Sequence, residues 1–438
     1  MSNDTVVVVE VTNTLSVPYT TGYQRVVREV LRGLDGPAGR ELEVVPVVRP
    51  LLLGDYRRLT DGEQDRLRRH PPGGHGGRRS DRFGVLAPVV RGTLDLGITK
   101  QVRGAVGRAR GRRALTPEIR ALTVPLPEIG SIWLDLEPTW HNPELRTELL
   151  PRMRAAGIHT AVLVADVMPE LFPRWFDPEK RAQFSEWLRA HLRDSEMFLC
   201  ISERTAADLR TVARQVGAPD PEAVVVPLGA DFPVGEARPV ELPDEVEHYL
   251  LVVGTLEPRK NQRAVVDAFD VLSRRHPDLG LVLVGKQGWL VDDLVERVRD
   301  HPEFGRRLLW LEGIDDAQLA WLYEHAFLAV APSKYEGLGV PVMEALHHGC
   351  ATLSSDGGAL PEAGGDRVTY FSPDDVDALC VLVERHLLDP DYHQAAVDRA
   401  AGWTAPTWGA TAEAVGDALR ALGGRTPPLV PGGSGGHQ

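Results

Sequence analysis

The chain reads as an α/β protein with two doubly wound parallel-sheet domains, and three observations carry that reading. Short β-branched apolar runs alternate with longer amphipathic segments through most of the sequence, which is the pattern of βαβ units. The runs fall into two similar sets on either side of a Pro-rich, acidic stretch around Pro233 that has neither helical nor strand periodicity. A chain of 438 residues also has the length for two or three domains at roughly 100–200 residues each.

In order, the candidate strands of the first half are 6–11, 42–48, 132–134, 161–164, 197–201 and 223–226. Those of the second half are 249–253, 281–284, 308–311, 327–331, 351–353 and 368–371. Residues 1–232 form the first expected domain, 233–248 the linker and 249–405 the second domain. Within the first domain, residues 57–113 read as a basic, flexible insertion, because the run from Arg68 to Arg79 is rich in Gly, Pro and cations and buries too little apolar surface to hold one conformation. The tail, 425–438, reads as disordered on the same grounds. No internal repeat points to a solenoid.

The charge is uneven. The chain carries 49 Lys+Arg against 62 Asp+Glu, a formal net charge of −13, which disfavours a protein that coats nucleic acid. Yet residues 57–113 hold 15 Lys/Arg and 5 Asp/Glu, a local +10, leaving −23 for the remainder. This island either draws an anionic membrane surface or lipid carrier toward the protein or is a solvated insertion. The 3 cysteines, Cys200, Cys350 and Cys380, have neither disulfide-framework nor zinc-site spacing, which fits a reducing compartment. The N-terminus lacks signal-peptide character, and no apolar run approaches the roughly 18–20 residues needed to cross a bilayer. A cytoplasmic protein is the expectation, with peripheral contact at the inner face of the membrane where the basic island is used to attract it.

Two loops of the second half carry chemistry. After strand 249–253 come Gly254 and then Arg259 and Lys260 at the start of a helix whose Val265, Phe269 and Leu272 repeat at helical spacing. Cations at the carboxyl end of a parallel strand stand where open α/β sheets bind ligands, and they suit a phosphate or pyrophosphate. Solvated helix-start residues are the alternative. After strand 327–331 comes Ser333-Lys-Tyr-Glu-Gly-Leu-Gly-Val-Pro-Val-Met-Glu-Ala345. Gly337 and Gly339 let the backbone approach a ligand, Pro341 suits a first helical turn, and the helix begins near Val340. Glu336 then lies in the loop and Glu344 in the first turns, both able to face one crevice. A carboxylate suits a pair of ribose hydroxyls. A solvated acid is the ordinary reading of each glutamate alone.

Arg259-Lys260 followed by Glu336-Gly-Leu-Gly-Val-Pro-Val-Met-Glu344 resembles the C-terminal domain of glycosyltransferase family 4, retaining enzymes of the two-domain GT-B fold. The resemblance continues through Leu311 to Leu319, Ala326 to Ser333 and Ser355-Asp-Gly-Gly-Ala-Leu-Pro-Glu362. It implies a nucleoside-diphosphate-sugar donor. Lys260, with Arg259, would bind its diphosphate, and Glu344 its ribose. Glu336 would lie near the sugar and phosphates, and the amides of Gly337, Leu338 and Gly339 would meet the diphosphate. Thr20-Thr-Gly-Tyr-Gln-Arg and Val164-Ala-Asp-Val-Met-Pro169 look like the N-terminal domain of the subgroup that builds surface polysaccharides and O-antigens, with Gly22 and Asp166 at the acceptor side of the cleft. Relatives often carry His or an aromatic before this Asp, where this chain has Ala165. Residues 406–424, with Trp403 and Trp408 packing before the helix, would cross back to brace the first domain, as such helices do in GT-B proteins.

The expected reaction is therefore retaining transfer of a hexose to a hydroxyl of an acceptor saccharide or lipid-linked saccharide, with Asp166, Lys260 and Glu336 as the catalytic candidates and no metal or cofactor. A sugar-nucleotide epimerase of the same fold and a non-catalytic nucleotide-sugar-binding protein are the alternatives. A dinucleotide oxidoreductase is disfavoured, since no GxGxxG follows a candidate strand.

Overall fold

A computed structural model describes residues 5–16, 22–49, 56–69, 132–141, 143–230 and 237–426. Two open sheets organise them. The 7-stranded first sheet has the order β3-β2-β1-β4-β5-β6-β7. Its strands are β1 (Thr5–Glu10), β2 (Leu42–Val48), β3 (Arg57–Arg58), β4 (Ile132–Asp135), β5 (His159–Val164), β6 (Met197–Cys200) and β7 (Ala223–Val225). The 6-stranded second sheet has the order β10-β9-β8-β11-β12-β13, from β8 (His248–Val253), β9 (Leu279–Val284), β10 (Leu308–Leu311), β11 (Leu328–Ala331), β12 (Thr352–Ser355) and β13 (Thr369–Phe371). Pairing is parallel throughout the second sheet and antiparallel only at β2–β3 in the first. Parallel strands covered on both faces are continuous apolar runs, which is why β5 and β9 are buried along their full length. Each candidate strand of the sequence has its counterpart within two residues at either end.

The helices, in chain order, are α1 (Thr12–Ser16), α2 (Gly22–Leu34), α3 (Asp61–Arg68), α4 (Pro143–Ala155), α5 (Met168–Leu171), α6 (Pro178–Asp194), α7 (Glu203–Gln215), α8 (Gln262–Leu272), α9 (Asp292–Arg299), α10 (Asp316–His325), α11 (Val340–His347), α12 (Leu360–Gly364), α13 (Val376–Leu388), α14 (Pro390–Ala401) and α15 (Trp408–Gly423). The last of them leaves the second sheet and packs against α2 and β4 of the first. Trp408, Val415, Leu419 and Leu422 are buried in the first domain's core, each worth about 1.5–3 kcal/mol relative to exposure. Among the described residues, no helix is long and apolar enough to cross a membrane.

The start of the expected insertion needs correcting. Residues 57–69 are ordered: β3 pairs with the edge of β2, and Thr60 and Glu63 form a reciprocal capping box at the start of α3. Arg57 grips Glu63 with both guanidinium ends at 2.7 Å, and the buried Arg28 donates to the carbonyls of Arg66, Leu67 and Arg69 at the helix's other end. The Thr-x-x-Glu signature was present in the sequence and outweighs the surrounding charge. The rest of the basic island from residue 70, the linker to residue 236 and the tail from residue 427 lie outside the described residues.

Candidate functional site

In each sheet the strand order reverses once, and the crevice beyond the carboxyl ends of the strands at that point is where open α/β sheets bind ligands. In the second sheet the reversal falls between β8 and β11, the two strands that precede the loops singled out above. Pro258–Lys260 form a single 3₁₀ turn after β8. Asn261 follows in the left-handed region, φ 55°, which Asn tolerates better than most residues. Its amide donates to the carbonyls of Pro332 (3.1 Å) and Pro373 (2.7 Å), tying the β8 loop to the β11 loop.

That tie brings both cations onto one carboxylate. Lys260 Nζ lies 2.6 Å from Glu336 Oε1, Arg259 pairs with Glu336 Oε2, and Ser333 Oγ donates to Oε1 at 2.7 Å. Arg259 also holds Glu257 at 2.5 Å. Burial works against the Glu336 charge, yet Arg259 and Lys260 hold its pKa down to about 2. The sequence reading placed two cations at the ligand crevice, with solvated helix-start residues as the alternative. The structure instead neutralises them with Glu336 and Glu257, so any bound diphosphate joins a balanced cluster.

Glu344 stands in the second turn of α11 and accepts from Tyr323 Oη at 3.1 Å. Burial pushes its pKa up to about 7, against the pull of Arg25 and Lys260. The charge of Lys260 thus opposes the effect of burial at both glutamates, strongly at Glu336 and weakly at Glu344. Gly339 caps α11 with φ 101°, a conformation that suits glycine, and a Cβ there would meet Leu360. Gly337 also answers a steric demand that the sequence did not show. A Cβ on it would stand 2.3 Å from the carbonyl oxygen of Ala165 in the first domain, so its smallness serves contact between domains. Between them, Leu338 packs on the cores of both domains.

The first domain brings its own residues to the cleft. Asp166 follows β5 and accepts from Met168 N at 3.0 Å. Burial raises its pKa, and Arg259 across the cleft lowers it. Gly22 opens α2 at an exposed position with no atom near its missing Cβ. His141 is exposed beside Trp140, while His347 and His348 close the far end of α11.

Sequence reasoning missed several residues. Arg25, three positions after Gly22, reaches Asp316 at the start of α10 in the second domain (3.0 Å). Tyr23 is buried, and burial followed by the charge of Asp166 raises its pKa. Trp289 donates to the carbonyl of Trp175 at 2.7 Å, and Tyr335 donates to Asp208 at 2.5 Å, both across the cleft. Under the first sheet's own reversal, the fully buried Arg146 bridges Glu10 (2.8 Å) and Asp135. Arg25, Tyr23 and Tyr335 lie within quoted motifs, which offered a signal; apart from Asp135 beside Arg146, the partners of these residues are more than 100 positions away in the chain.

With that geometry in place, comparison with known proteins identifies the second half. The family model described as glycosyl transferases group 1 matches residues 234–403. This segment is a glycosyl transferases group 1 domain. The chain is 32% identical over 285 residues to the serotype-specific mannosyltransferase WbdA of Escherichia coli, covering 62% of this chain and 34% of that protein. It is 29% identical over 239 residues to the O-antigen chain mannosyltransferase B of Escherichia coli, covering 51% of this chain and 60% of that one. The chain therefore spans about a third of the length of WbdA. Among solved structures, sucrose-phosphate synthase from Thermosynechococcus elongatus aligns with TM-score 0.59 at 18% identity over 95% of this chain and 99% of its own. Anabaena Alr3699/HepE in complex with UDP-glucose aligns with TM-score 0.60 at 13% identity over 95% and 100%. The two parallel-sheet domains are thus those of the GT-B architecture, and Arg259, Lys260, Glu336 and Glu344 all fall within the segment that the group 1 model matches.

Proposed function

We propose that the protein is a retaining glycosyltransferase that moves a hexose from a nucleoside-diphosphate sugar to a hydroxyl of an acceptor saccharide or lipid-linked saccharide. Mannose is the favoured sugar, given the names of the relatives. The observation that carries the reading is the convergence of Arg259, Lys260 and Glu336 at the strand-order reversal, with Asp166 facing them from the other domain.

In this reading the donor's ribose hydroxyls rest on Glu344 and its diphosphate on Lys260, Arg259 and the amides of Gly337 to Gly339. As the bond from the anomeric carbon to phosphate breaks, the leaving diphosphate takes the electron pair. Fixed cations and amides aimed at that oxygen stabilise the charge where it develops. The acceptor oxygen bonds the anomeric carbon on the same face and its proton passes to the departing phosphate. The buried Glu336 carboxylate holds both cations in place and opposes the positive charge on the sugar. Asp166 orients the acceptor side, with Gly22 leaving room at the start of α2. Side chains and amides supply the neutralising charge, so the proposal calls for no metal ion or other cofactor.

Lys260→Ala and Glu344→Ala test it. Each is expected to lower turnover or donor affinity strongly, and near-normal values for both would overturn the assignment. A thermal-shift comparison of UDP, GDP, dTDP and ADP names the base, since a ligand that binds only the folded state raises its melting temperature. Donor consumed without acceptor, yielding an epimerised sugar nucleotide, would favour the epimerase alternative.

A further inference from the structure

We infer that Ser202 and Thr205, at the start of α7 in the first domain, are positioning residues for the Gly337–Gly339 loop of the second, so that closing the cleft is what orients the loop amides. The inference rests on the reading that these amides meet the donor's phosphates.

Ser202 is the N-cap of α7 and accepts from Thr205 N at 3.0 Å. A cap needs only an acceptor. Both hydroxyl oxygens, however, also lie within hydrogen-bond reach of the carbonyl of Gly337 in the other domain, Ser202 Oγ at 2.6 Å and Thr205 Oγ1 at 3.1 Å. Thr205 Oγ1 is further 3.2 Å from the carbonyl of Ala165. Each hydroxyl has one proton. The shortest distance assigns the Ser202 proton to Gly337, leaving Thr205 to donate to Gly337 or Ala165. Both residues are at most 2% exposed, so neither hydroxyl has water as a ready substitute.

The grip on Gly337 has a directional consequence. The peptide between Gly337 and Leu338 is planar, and in its trans form the Leu338 N–H points opposite to the Gly337 carbonyl. Holding that carbonyl on α7 therefore fixes where the next amide points. Gly337 lacks a side chain that would restrain its dihedral angles, so the restraint has to come from outside the loop. Glu362, the last residue of the Ser355 to Glu362 motif, completes the contact from the second domain. Its carboxylate accepts from the free N–H groups of Glu203 (2.8 Å) and Arg204 (2.7 Å), the orphan donors of the first turn of α7. Tyr335, in the same loop as Gly337, adds its 2.5 Å bond to Asp208 one turn further along α7. One helix end thus holds the loop by carbonyl, hydroxyl and carboxylate partners, and all these bonds are lost together when the cleft opens.

The test pairs Ser202→Ala/Thr205→Val with the conservative Ser202→Thr/Thr205→Ser. Nitroxide labels at Ala182→Cys and Val381→Cys, exposed sites on the two domains, report the distance across the cleft, the three native cysteines being buried. The first pair is expected to shift the interdomain distances to longer values and to raise the donor KM at least tenfold. The conservative pair should stay within twofold of the parent in KM and keep its distances. A purely structural cap would instead lower the melting temperature and leave both readings of the folded protein unchanged, and that result would overturn the inference. A parent protein that binds no nucleoside diphosphate would sink the proposed function while the distance measurement still decides the contact between α7 and the loop.

Discussion

Replacing Glu336 with Gln should weaken the free protein while strengthening its response to a nucleoside diphosphate. The side chain keeps its shape but loses the charge that balances Lys260 at 2.6 Å and Arg259. Arg259 retains Glu257 at 2.5 Å, so the loss falls mainly on Lys260, whose side chain is only 14% exposed. Removing one partner of a buried ion pair costs about 3–5 kcal/mol. The lower end applies here because Lys260 keeps some access to water. At about 2–4 °C per kcal/mol for a domain of this size, the melting temperature of the second domain should fall by about 6–12 °C. A diphosphate entering the variant meets cations no longer shared with a carboxylate. The shift on adding saturating UDP or GDP, whichever the parent binds, should therefore exceed the parent's. Turnover should fall, because the cations are no longer held in place and the charge opposing the sugar cation is gone. Differential scanning fluorimetry with and without nucleotide, beside a steady-state assay, reads all three. An unchanged melting temperature, or a smaller nucleotide shift than the parent's, would refute the charge-balance reasoning.

Three further outcomes follow from the same geometry. Glu344 has its pKa raised to about 7 by burial, so it takes up protons on folding between about pH 4.5 and 7; its contribution to stability falls as pH rises through that window and is level above it. Because ribose binding in the proposed function uses the ionised carboxylate, donor affinity should climb from pH 5.5 to 7.5, and Glu344→Gln should flatten that climb in a binding titration. Gly337→Ala places a Cβ 2.3 Å from the Ala165 carbonyl, so donor-dependent turnover should drop at least tenfold, with little change in melting temperature because the cleft can open to relieve the clash; Gly22→Ala, with open space around it, should leave melting unchanged. Arg146→Met leaves Glu10 and Asp135 buried without their cation and should destabilise the first domain by about 3–5 kcal/mol, measurable by denaturant titration.

Much of the fold was legible because local pattern and tertiary position agree. Parallel strands buried on both faces must be continuous apolar runs, so β5, β9 and β11 stand out in the sequence. The loops after β8 and β11 were legible for a related reason: they sit at the carboxyl ends of strands, where sheet topology places ligands, and their Gly, Lys and Glu spacing is compact. The strand Arg57–Arg58 escaped notice because two arginines have no apolar periodicity, and only pairing with Val47 and Val48 makes them a strand.

By itself, then, the sequence determined the two-domain α/β plan and singled out four charged residues after two strands of the second domain, because both are written within short stretches of chain. The tertiary structure alone decided how those charges are used. That Arg259 and Lys260 share Glu336, that these two cations hold Glu336 ionised against its burial while burial prevails at Glu344, and that Gly337 serves an interdomain contact all depend on desolvation and on partners far away in the chain. Electrostatic energies vary with distance and burial, and neither is encoded in the spacing of residues along one strand and its loop.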